Sequence, residues 1–191
     1  WEAGVGRAVS TELDGEWKDC GKLFISTEIG VQNSIDPVFV CAEDHKYLFW
    51  GSFRGIYAIE LTDDGTSVRQ GAEPVQIAGT AYEGTYILRH GKYWYMFAST
   101  GTCCEGLNST YQTVVGRAEN VLGPYVDKNG LPMMDNHHEV VISGGYGFRG
   151  TGHNSGIVTD DRGDTWMLYH SYPGEGYEDT ADGEQRRKNE T

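Results

Sequence analysis

Residues 82–99 read YEGTYILRHGKYWYMFAS, and this stretch decides the fold class of the chain. Two runs rich in aromatic and β-branched residues, 85–89 and 93–98, lie on either side of His90-Gly91. Such runs around a short link that contains glycine are typical of an antiparallel β-hairpin. The stretch therefore predicts two neighbouring strands, with Glu83 at the entry to the first.

The same unit recurs on both sides of this hairpin. Asp36 opens the run DPVFV, and His153 opens the run HNSGIV. An aromatic run that ends in serine follows each of the three openings, at residues 46–52, 92–99 and 165–171. A repeat that places an Asp, a Glu and a His at the start of successive units predicts radial repetition, with the chemistry gathered near the axis.

The spacing of the repeats predicts the blades of a β-propeller. The tetrapeptide VGRA at residues 5–8 returns at 115–118, a separation that fits two blades of about 40–50 residues each. We interpret residues 1–191 as a single catalytic propeller domain, truncated at both ends. Its predicted parts are the outer strands of a first blade (1–32), two blades (33–80 and 81–135) and an incomplete blade (136–191) that follows an insertion at 130–150.

Composition restricts the possible partners. The chain has 191 residues and a formal net charge of −13. Nucleic acids and anionic membranes both attract Lys and Arg, so the charge argues against either partner. Twelve Tyr, five Trp and 27 Gly favour short strands with glycine turns, and the aromatic residues are expected to fill the space between sheets. We expect a monomer that binds a neutral ligand.

Each of the three recurring residues also has an ordinary explanation. Asp36 precedes Pro37, which favours an extended conformation for the aspartate, and an Asp at this place is also common in simple turns. Glu83 precedes Gly84, which permits close approach of a substrate, yet a lone glutamate is usually solvated. His153 is a metal ligand, a sugar contact or a core histidine. Their recurrence at equivalent places favours a shared site.

Residues 101–111 form a further candidate, because long loops in compact domains often carry function. The loop contains the adjacent pair Cys103 and Cys104. Adjacent cysteines can form only a strained disulfide with each other, or they stay reduced. Alternatively, the two cysteines act as small apolar residues in the wall of the fold.

At these residues the chain resembles glycoside hydrolase family 43, and within it the endo-1,5-α-L-arabinanases. The similar segments are Asn-x-Ile-Asp-Pro at 33–37, Glu-Gly-x-Tyr at 83–86, Gly-x-Gly-His-Asn at 150–154, and Cys-Cys-x-Gly-x-Asn-Ser-Thr-Tyr at 103–111. The resemblance implies an all-β, five-bladed propeller, of which this chain supplies roughly three to four blades. It also implies hydrolysis of α-1,5-linked L-arabinan or arabino-oligosaccharides, with secretion or a periplasmic location.

By the same resemblance, Glu83 is the general acid and Asp36 orients it and tunes its pKa. His153 helps to hold a calcium ion, largely through water. The resemblance further implies an inverting mechanism, in which the acid and base carboxyls are about 6.5–9.5 Å apart. Residues predicted to bind substrate are Asn33, Ser52, Phe53, Gly84, Thr100, Cys103, Cys104, Asn108, Tyr111 and Asn154.

One element of that resemblance has no counterpart in the sequence. No segment of residues 1–32 matches the context of the family's general base, which we therefore expect before Trp1. Two other functions stay open: a non-catalytic glycan-binding propeller, and an exo-acting arabinofuranosidase or β-xylosidase of the same family.

Overall fold

The computed structural model describes residues 2–145 and 147–174, together with the backbone of two short strands near the C-terminus. The described chain is almost entirely β-structure, with one four-residue helix, α1 (Ser26–Ile29). The strands are β1 (Gly4–Val9), β2 (Lys18–Ile25), β3 (Val38–Ala42), β4 (His45–Trp50), β5 (Ile56–Glu60), β6 (Val75–Ala78), β7 (Glu83–His90), β8 (Tyr93–Thr100), β9 (Gln112–Ala118), β10 (Glu139–Ile142), β11 (Phe148–Gly152), β12 (Ile157–Thr159), β13 (Thr165–Met167), β14 (His170–Pro173), β15 (Tyr177–Asp179) and β16 (Gln185–Arg187). Within the described residues, no helix has the length and apolar character needed to cross a bilayer.

Strands β3, β4, β5 and β6 form one four-stranded antiparallel meander. Val38 pairs with Phe49, and Tyr47 pairs with Glu60. This sheet lies inside the blade predicted for residues 33–80, and its fourth strand, β6, is one that the sequence pattern did not reveal. Short β6 carries only one polar–apolar alternation, too little for a period to stand out.

Strands β7, β8 and β9 continue as a second meander, which β10 completes by pairing with β9. The fourth strand therefore lies beyond residue 135, where the sequence had predicted the end of this blade. The chain first makes a 3₁₀ turn at Met133–Asp135, whose Met133 side chain is fully buried. This connection, anchored by a buried side chain, displaces the strand towards the C-terminus. Strand β10 and the first residues of β11 therefore lie inside the predicted insertion.

The third repeat differs from its prediction. A single strand was expected at residues 166–170, but β13 pairs with β12 while the separate strand β14 pairs with β11. The break falls at Leu168, whose carbonyl accepts a hydrogen bond from the Ser155 backbone N–H at 2.9 Å. The aromatic run is continuous in the sequence, but its two halves pair with different strands and therefore form two strands.

Apolar layers join the units side by side. Phe49 of the first sheet and Met96 of the second are fully buried in one shared cluster. The β1–β2 hairpin packs on the other face of the first sheet, where Phe24 and Trp50 have ring centroids 4.9 Å apart. Trp166 of the third repeat is exposed instead, so the expected aromatic filling holds for the first two sheets only.

Candidate active site

The structure brings the three recurring residues together at the entries to successive strands. Asp36 precedes β3, Glu83 opens β7, and His153 lies between β11 and β12. The Gly84 backbone N–H donates to Asp36 Oδ2 at 3.3 Å. The Tyr111 hydroxyl lies 2.6 Å from Glu83 Oε1 and 3.4 Å from His153 Nδ1. One tyrosine thus links the glutamate to the histidine.

Both carboxyl oxygens of Glu83 have a hydroxyl partner. The Ser52 hydroxyl donates to Oε2 at 2.6 Å, and the Tyr111 hydroxyl donates to Oε1. Glu83 itself is only 8% exposed. A buried carboxyl needs hydrogen-bond partners to be tolerated at all, and two short bonds from opposite sides fix the orientation of its plane.

Asp36 does not have the extended backbone that Pro37 was expected to favour. Its φ is +56°, in the left-handed region, where a non-glycine residue costs about 1–3 kcal/mol. Surrounding hydrogen bonds hold this conformation: Gly51 N–H donates to the Ile35 carbonyl at 3.0 Å, and the Gly84 N–H reaches the carboxylate. Tertiary contacts override the local preference here.

The electrostatics of Asp36 follow from its surroundings. Burial raises the pKa of the Asp36 carboxyl above its usual value, and the nearby Glu83 carboxylate adds to this rise. The His153 ring and the Gly84 N–H act in the opposite direction without cancelling it. A carboxyl that is partly desolvated beside a second carboxyl holds its proton more tightly.

His153 is held by a hydrogen bond of its backbone N–H and by contacts of its ring. Its backbone N–H donates to the Ser99 hydroxyl at 2.7 Å, and its ring lies against that of His170, tilted by 36°, with centroids 5.5 Å apart. A Cβ on Gly84 would lie 3.1 Å from the His153 ring, so the glycine makes room for the imidazole. The sequence analysis missed His170, and its place at the end of the third aromatic run was the available signal.

Left-handed backbone concentrates at this site. Non-glycine residues with positive φ in the described part of the chain are Asn33, Asp36, Glu43, Phe53, Cys104, Asn136 and His153. Five of the seven are residues that the sequence predicted for the site. Such strain persists where surrounding structure over-determines it, which is common at functional sites.

Two cavities flank the His153 ring. The first has a volume of about 290 Å³, and its walls include Glu83, Tyr111, Cys103 and Cys104. His153 and His170 separate it from a second cavity of about 340 Å³. The first cavity gives a ligand direct access to the buried glutamate.

The second cavity contains polar groups without a partner. Asp36, Thr85 and Asn154 line it. Thr85 Oγ1 and Asn154 Oδ1 are buried and have no hydrogen-bond partner within the protein. Unpaired buried polar atoms are rare and costly, and these two belong to residues that line the second cavity.

Five predicted substrate contacts line neither cavity: Asn33, Ser52, Phe53, Thr100 and Asn108. Asn33 instead donates from its amide to the Ser52 carbonyl at 2.9 Å, and Phe53 N–H donates to the Tyr82 carbonyl at 2.8 Å. These two residues therefore position Ser52 and the strand that carries Glu83. Contact of the five with substrate stays a prediction.

The calcium ion predicted at His153 would take most of its ligands from water. Among residues 2–145 and 147–174, no three His, Cys, Asp or Glu side chains converge on a point where they could hold a metal. Calcium takes about six to eight oxygen ligands, and both Glu83 oxygens already accept hydrogen bonds. The described side chains do not form a calcium site by themselves, and the ion stays a prediction that depends on water ligands.

Successive antiparallel β-meanders whose strand entries gather polar side chains are typical of a β-propeller. Comparison with protein families makes the class specific. The family model for glycosyl hydrolases family 43 matches residues 1–187, and the chain belongs to this family.

Among curated proteins, the chain is similar to the extracellular exo-alpha-(1->5)-L-arabinofuranosidase ArbA of Cellvibrio japonicus, with 36% identity over 83% of this chain and 50% of the relative. It is also similar to the extracellular endo-alpha-(1->5)-L-arabinanase 1 of Bacillus subtilis, with 33% identity over 78% of this chain and 48% of the relative. The chain spans about half the length of these curated relatives.

Similar solved structures include two arabinanases. The alpha-L-arabinanase of Cellvibrio cellulosa, complexed with arabinohexaose, superposes with a TM-score of 0.81 and 29% identity over 96% of this chain and 68% of that one. An exo-1,5-alpha-L-arabinanase from a bovine ruminal metagenomic library superposes with a TM-score of 0.79 and 31% identity, over 95% of this chain and 67% of that one. The predicted family and the predicted all-β propeller fold, of which this chain is a part, are confirmed.

Proposed function

We propose that this chain carries the acid half of an active site that hydrolyses α-1,5-linked L-arabinan, with Glu83 as the general acid. The observation that carries the proposal is the buried Glu83 carboxyl, held at the wall of the first cavity by the Ser52 and Tyr111 hydroxyls. The names of the relatives supply the substrate class.

The two hydroxyl partners suit a group that alternates between protonation states. A serine hydroxyl can donate to a carboxylate and can equally accept from a carboxylic acid, so Glu83 keeps a partner when it loses or gains its proton. Burial raises the pKa of Tyr111 well above its usual value, and the phenol therefore stays a neutral donor. A fixed carboxylic acid can then protonate the glycosidic oxygen of a sugar in the cavity.

Asp36 has the role of a positioning residue in this proposal. It binds the backbone N–H of Gly84, which follows the acid directly. Movement of Asp36 would shift the strand entry that carries Glu83.

A general base is not among the residues that line the two cavities. Within the described chain, the carboxyl groups at these walls belong to Glu83 and Asp36. An inverting glycosidase needs a further carboxylate about 6.5–9.5 Å from the acid, to activate water. We therefore propose that this base comes from a part of the protein beyond the residues described.

Two further proposals concern the surroundings of the enzyme. The curated relatives are named extracellular, which supports secretion of this protein. A calcium ion near His153 would be held mostly by water and would supply positive charge next to the carboxyls.

The test is release of reducing sugar from linear arabinan by the complete protein, with and without Glu83→Gln. We expect the substitution to lower turnover by about 10²–10⁴-fold, the usual contribution of a general acid, while arabino-oligosaccharide binding persists. Glu12→Gln is the control, because Glu12 is exposed and lies outside both cavities. Equal turnover in Glu83→Gln and wild type would exclude the acid assignment.

The same assay distinguishes two alternative functions. Binding without any sugar release by the complete protein would identify a non-catalytic glycan-binding propeller. Exo action is favoured by one specific finding, the similarity to exo-acting relatives in both comparisons. An exo enzyme releases one short product from the first turnover, whereas an endo enzyme releases a mixture of lengths.

A further inference from the structure

Two adjacent thiols form part of the wall that faces Glu83. Cys103 and Cys104 both line the first cavity, and their sulfur atoms are 3.1 Å apart. Cys104 is exposed and Cys103 is half-buried. The pair is therefore open to small molecules from the cavity and already in mutual contact.

The backbone at the pair has an unusual conformation. Cys104 has φ of +63°, a strained value for a residue with a side chain. The loop ends are tied together just outside the pair: Tyr111 N–H donates to the Thr102 carbonyl at 3.1 Å, and Thr102 N–H donates to the Thr110 hydroxyl at 3.0 Å. Changes at the cysteines are thus confined to a closed loop.

That loop leads directly to the general acid. Tyr111, at the end of the loop, donates its hydroxyl to Glu83 at 2.6 Å. Cys103 also interacts electrostatically with Cys104 and with Glu83, and the hydrogen bond between the sulfurs is the largest cause that raises the pKa of Cys103 to about 11. A covalent change at the pair would therefore act on the glutamate through its hydroxyl partner.

We propose that Cys103 and Cys104 are a reversible oxidation site, at which a small-molecule disulfide such as oxidised glutathione converts the two thiols into a disulfide with each other. This site lies on the wall of the Glu83 cavity but does not depend on the hydrolytic function proposed above. Exposed or strained disulfides are the labile ones, which suits a reversible modification.

The reaction proceeds by two exchange steps. One cysteine, expected to be the exposed Cys104, loses its proton and attacks the small-molecule disulfide, which breaks and releases one small thiol. The second cysteine loses its proton and attacks the mixed disulfide, which releases the second small thiol. The protein gives up two electrons and two protons, and the small-molecule disulfide takes up both.

The test uses a Cys20→Ser, Cys41→Ser background, which removes the two other thiols of the chain, both exposed. The protein is incubated with oxidised glutathione, quenched by alkylation and analysed by intact-mass and peptide mass spectrometry. We expect the loss of both alkylatable thiols without a retained glutathione, and a peptide in which residues 103 and 104 are joined. Dithiothreitol should restore both thiols.

Added Cys103→Ser is the matched control, since it removes the second cysteine and stops the reaction at one glutathione on Cys104. Two free thiols after incubation, or a stable glutathione adduct in the parent background, would overturn the proposal. Untreated melting temperatures that agree between the variants show that each is folded. Slower oxidation in the presence of arabinotriose would place sugar against the pair, while an unchanged rate with the disulfide formed upholds the oxidation site and argues against that sugar contact.

Discussion

Hydrogen bonds at single residues account for the geometry of the site. Glu83 keeps its orientation because Ser52 and Tyr111 bind opposite oxygens of its carboxyl. Asp36 and His153 are both held in left-handed backbone, a cost that the contacts of their side chains and backbone offset. Substitutions at this scale should therefore change the chemistry of the site more than they change the fold.

Tyr111→Phe removes one hydrogen bond to Glu83 and leaves the ring in place. A hydrogen bond contributes about 1 kcal/mol, which corresponds to a loss of about fivefold in turnover. The measurement is kcat of the complete protein on linear arabinan. Tyr125→Phe is the matched control, because its buried hydroxyl binds the Val121 carbonyl, away from the cavities. A similar fall in kcat in both variants would contradict the role of Tyr111.

Asp36→Asn should change how stability depends on pH. Burial raises the folded-state pKa of Asp36 above the value of the unfolded chain, so its stabilising contribution is complete below the unfolded pKa and is lost as pH rises through the folded pKa. The variant should therefore melt higher than wild type at pH 7, by about 2–4 °C if the effect is near 1 kcal/mol. The difference should shrink towards pH 3.

Asp160→Asn is a control with the opposite sign. A hydrogen bond from the Trp166 ring N–H is the largest cause that lowers the pKa of Asp160. Its contribution is present above the unfolded pKa and is lost as pH falls through the folded pKa. This variant should melt lower than wild type at pH 7 and match it in acid. Thermal melts from pH 3 to pH 8 that show the same sign for both variants would refute the analysis of Asp36.

At the scale of elements, strand entries and one loop bring the site together. Strands β3, β7 and β12 each begin at or just after one of the three recurring residues. The loop from Gly101 to Tyr111 returns the chain to β9 and delivers the Tyr111 ring against Gly152 of β11. A small residue at position 152 is therefore a packing requirement of the site.

Gly152→Ala should disturb this packing directly. A Cβ at this position would lie 2.3 Å from Tyr111 Cδ1, so the ring must move away from its bond to Glu83. Overpacking of this kind costs about 1–3 kcal/mol, and turnover should fall with stability. Gly6→Ala in β1 is the control, because its nearest neighbour would be 3.6 Å away. Chemical denaturation of both variants tests the prediction, and equal unfolding free energies would contradict it.

At the scale of the molecule, shared apolar layers make the sheets one body. The buried cluster that contains Phe49 of the first sheet and Met96 of the second also takes in Met133 from the connection to β10. These layers fix the distance between the strand entries, and thus between Asp36 and Glu83. An ion near the axis would act on several units at once.

Calcium binding at His153 is therefore expected to appear in global stability. A ligand at 100 times its Kd stabilises the folded state by about 2.7 kcal/mol, so added calcium should raise the melting temperature relative to EDTA. His153→Ala should remove the rise, while His90→Ala, at an exposed hairpin turn, should retain it. An identical calcium response in His153→Ala would mean that the ion, if bound, lies elsewhere.

The sequence by itself determined the fold class, the family and the three residues at the strand entries. Alternating aromatic runs and glycine turns are local patterns, and the recurrence of Asp36, Glu83 and His153 needs no three-dimensional information. Strands such as β3 and β8 were predicted for the same reason, since their side-chain period lies within the strand itself.

Only the tertiary structure decided the remaining features. Asp36 is left-handed because long-range hydrogen bonds outweigh the local influence of Pro37. Strand β14 separates from β13 because each pairs with a different partner, and His170 joins the site through a ring contact across 17 positions of chain. Such contacts depend on which distant segments pack together, and the packing energy of the whole molecule decides this. Local propensity, by contrast, decides where the strands form.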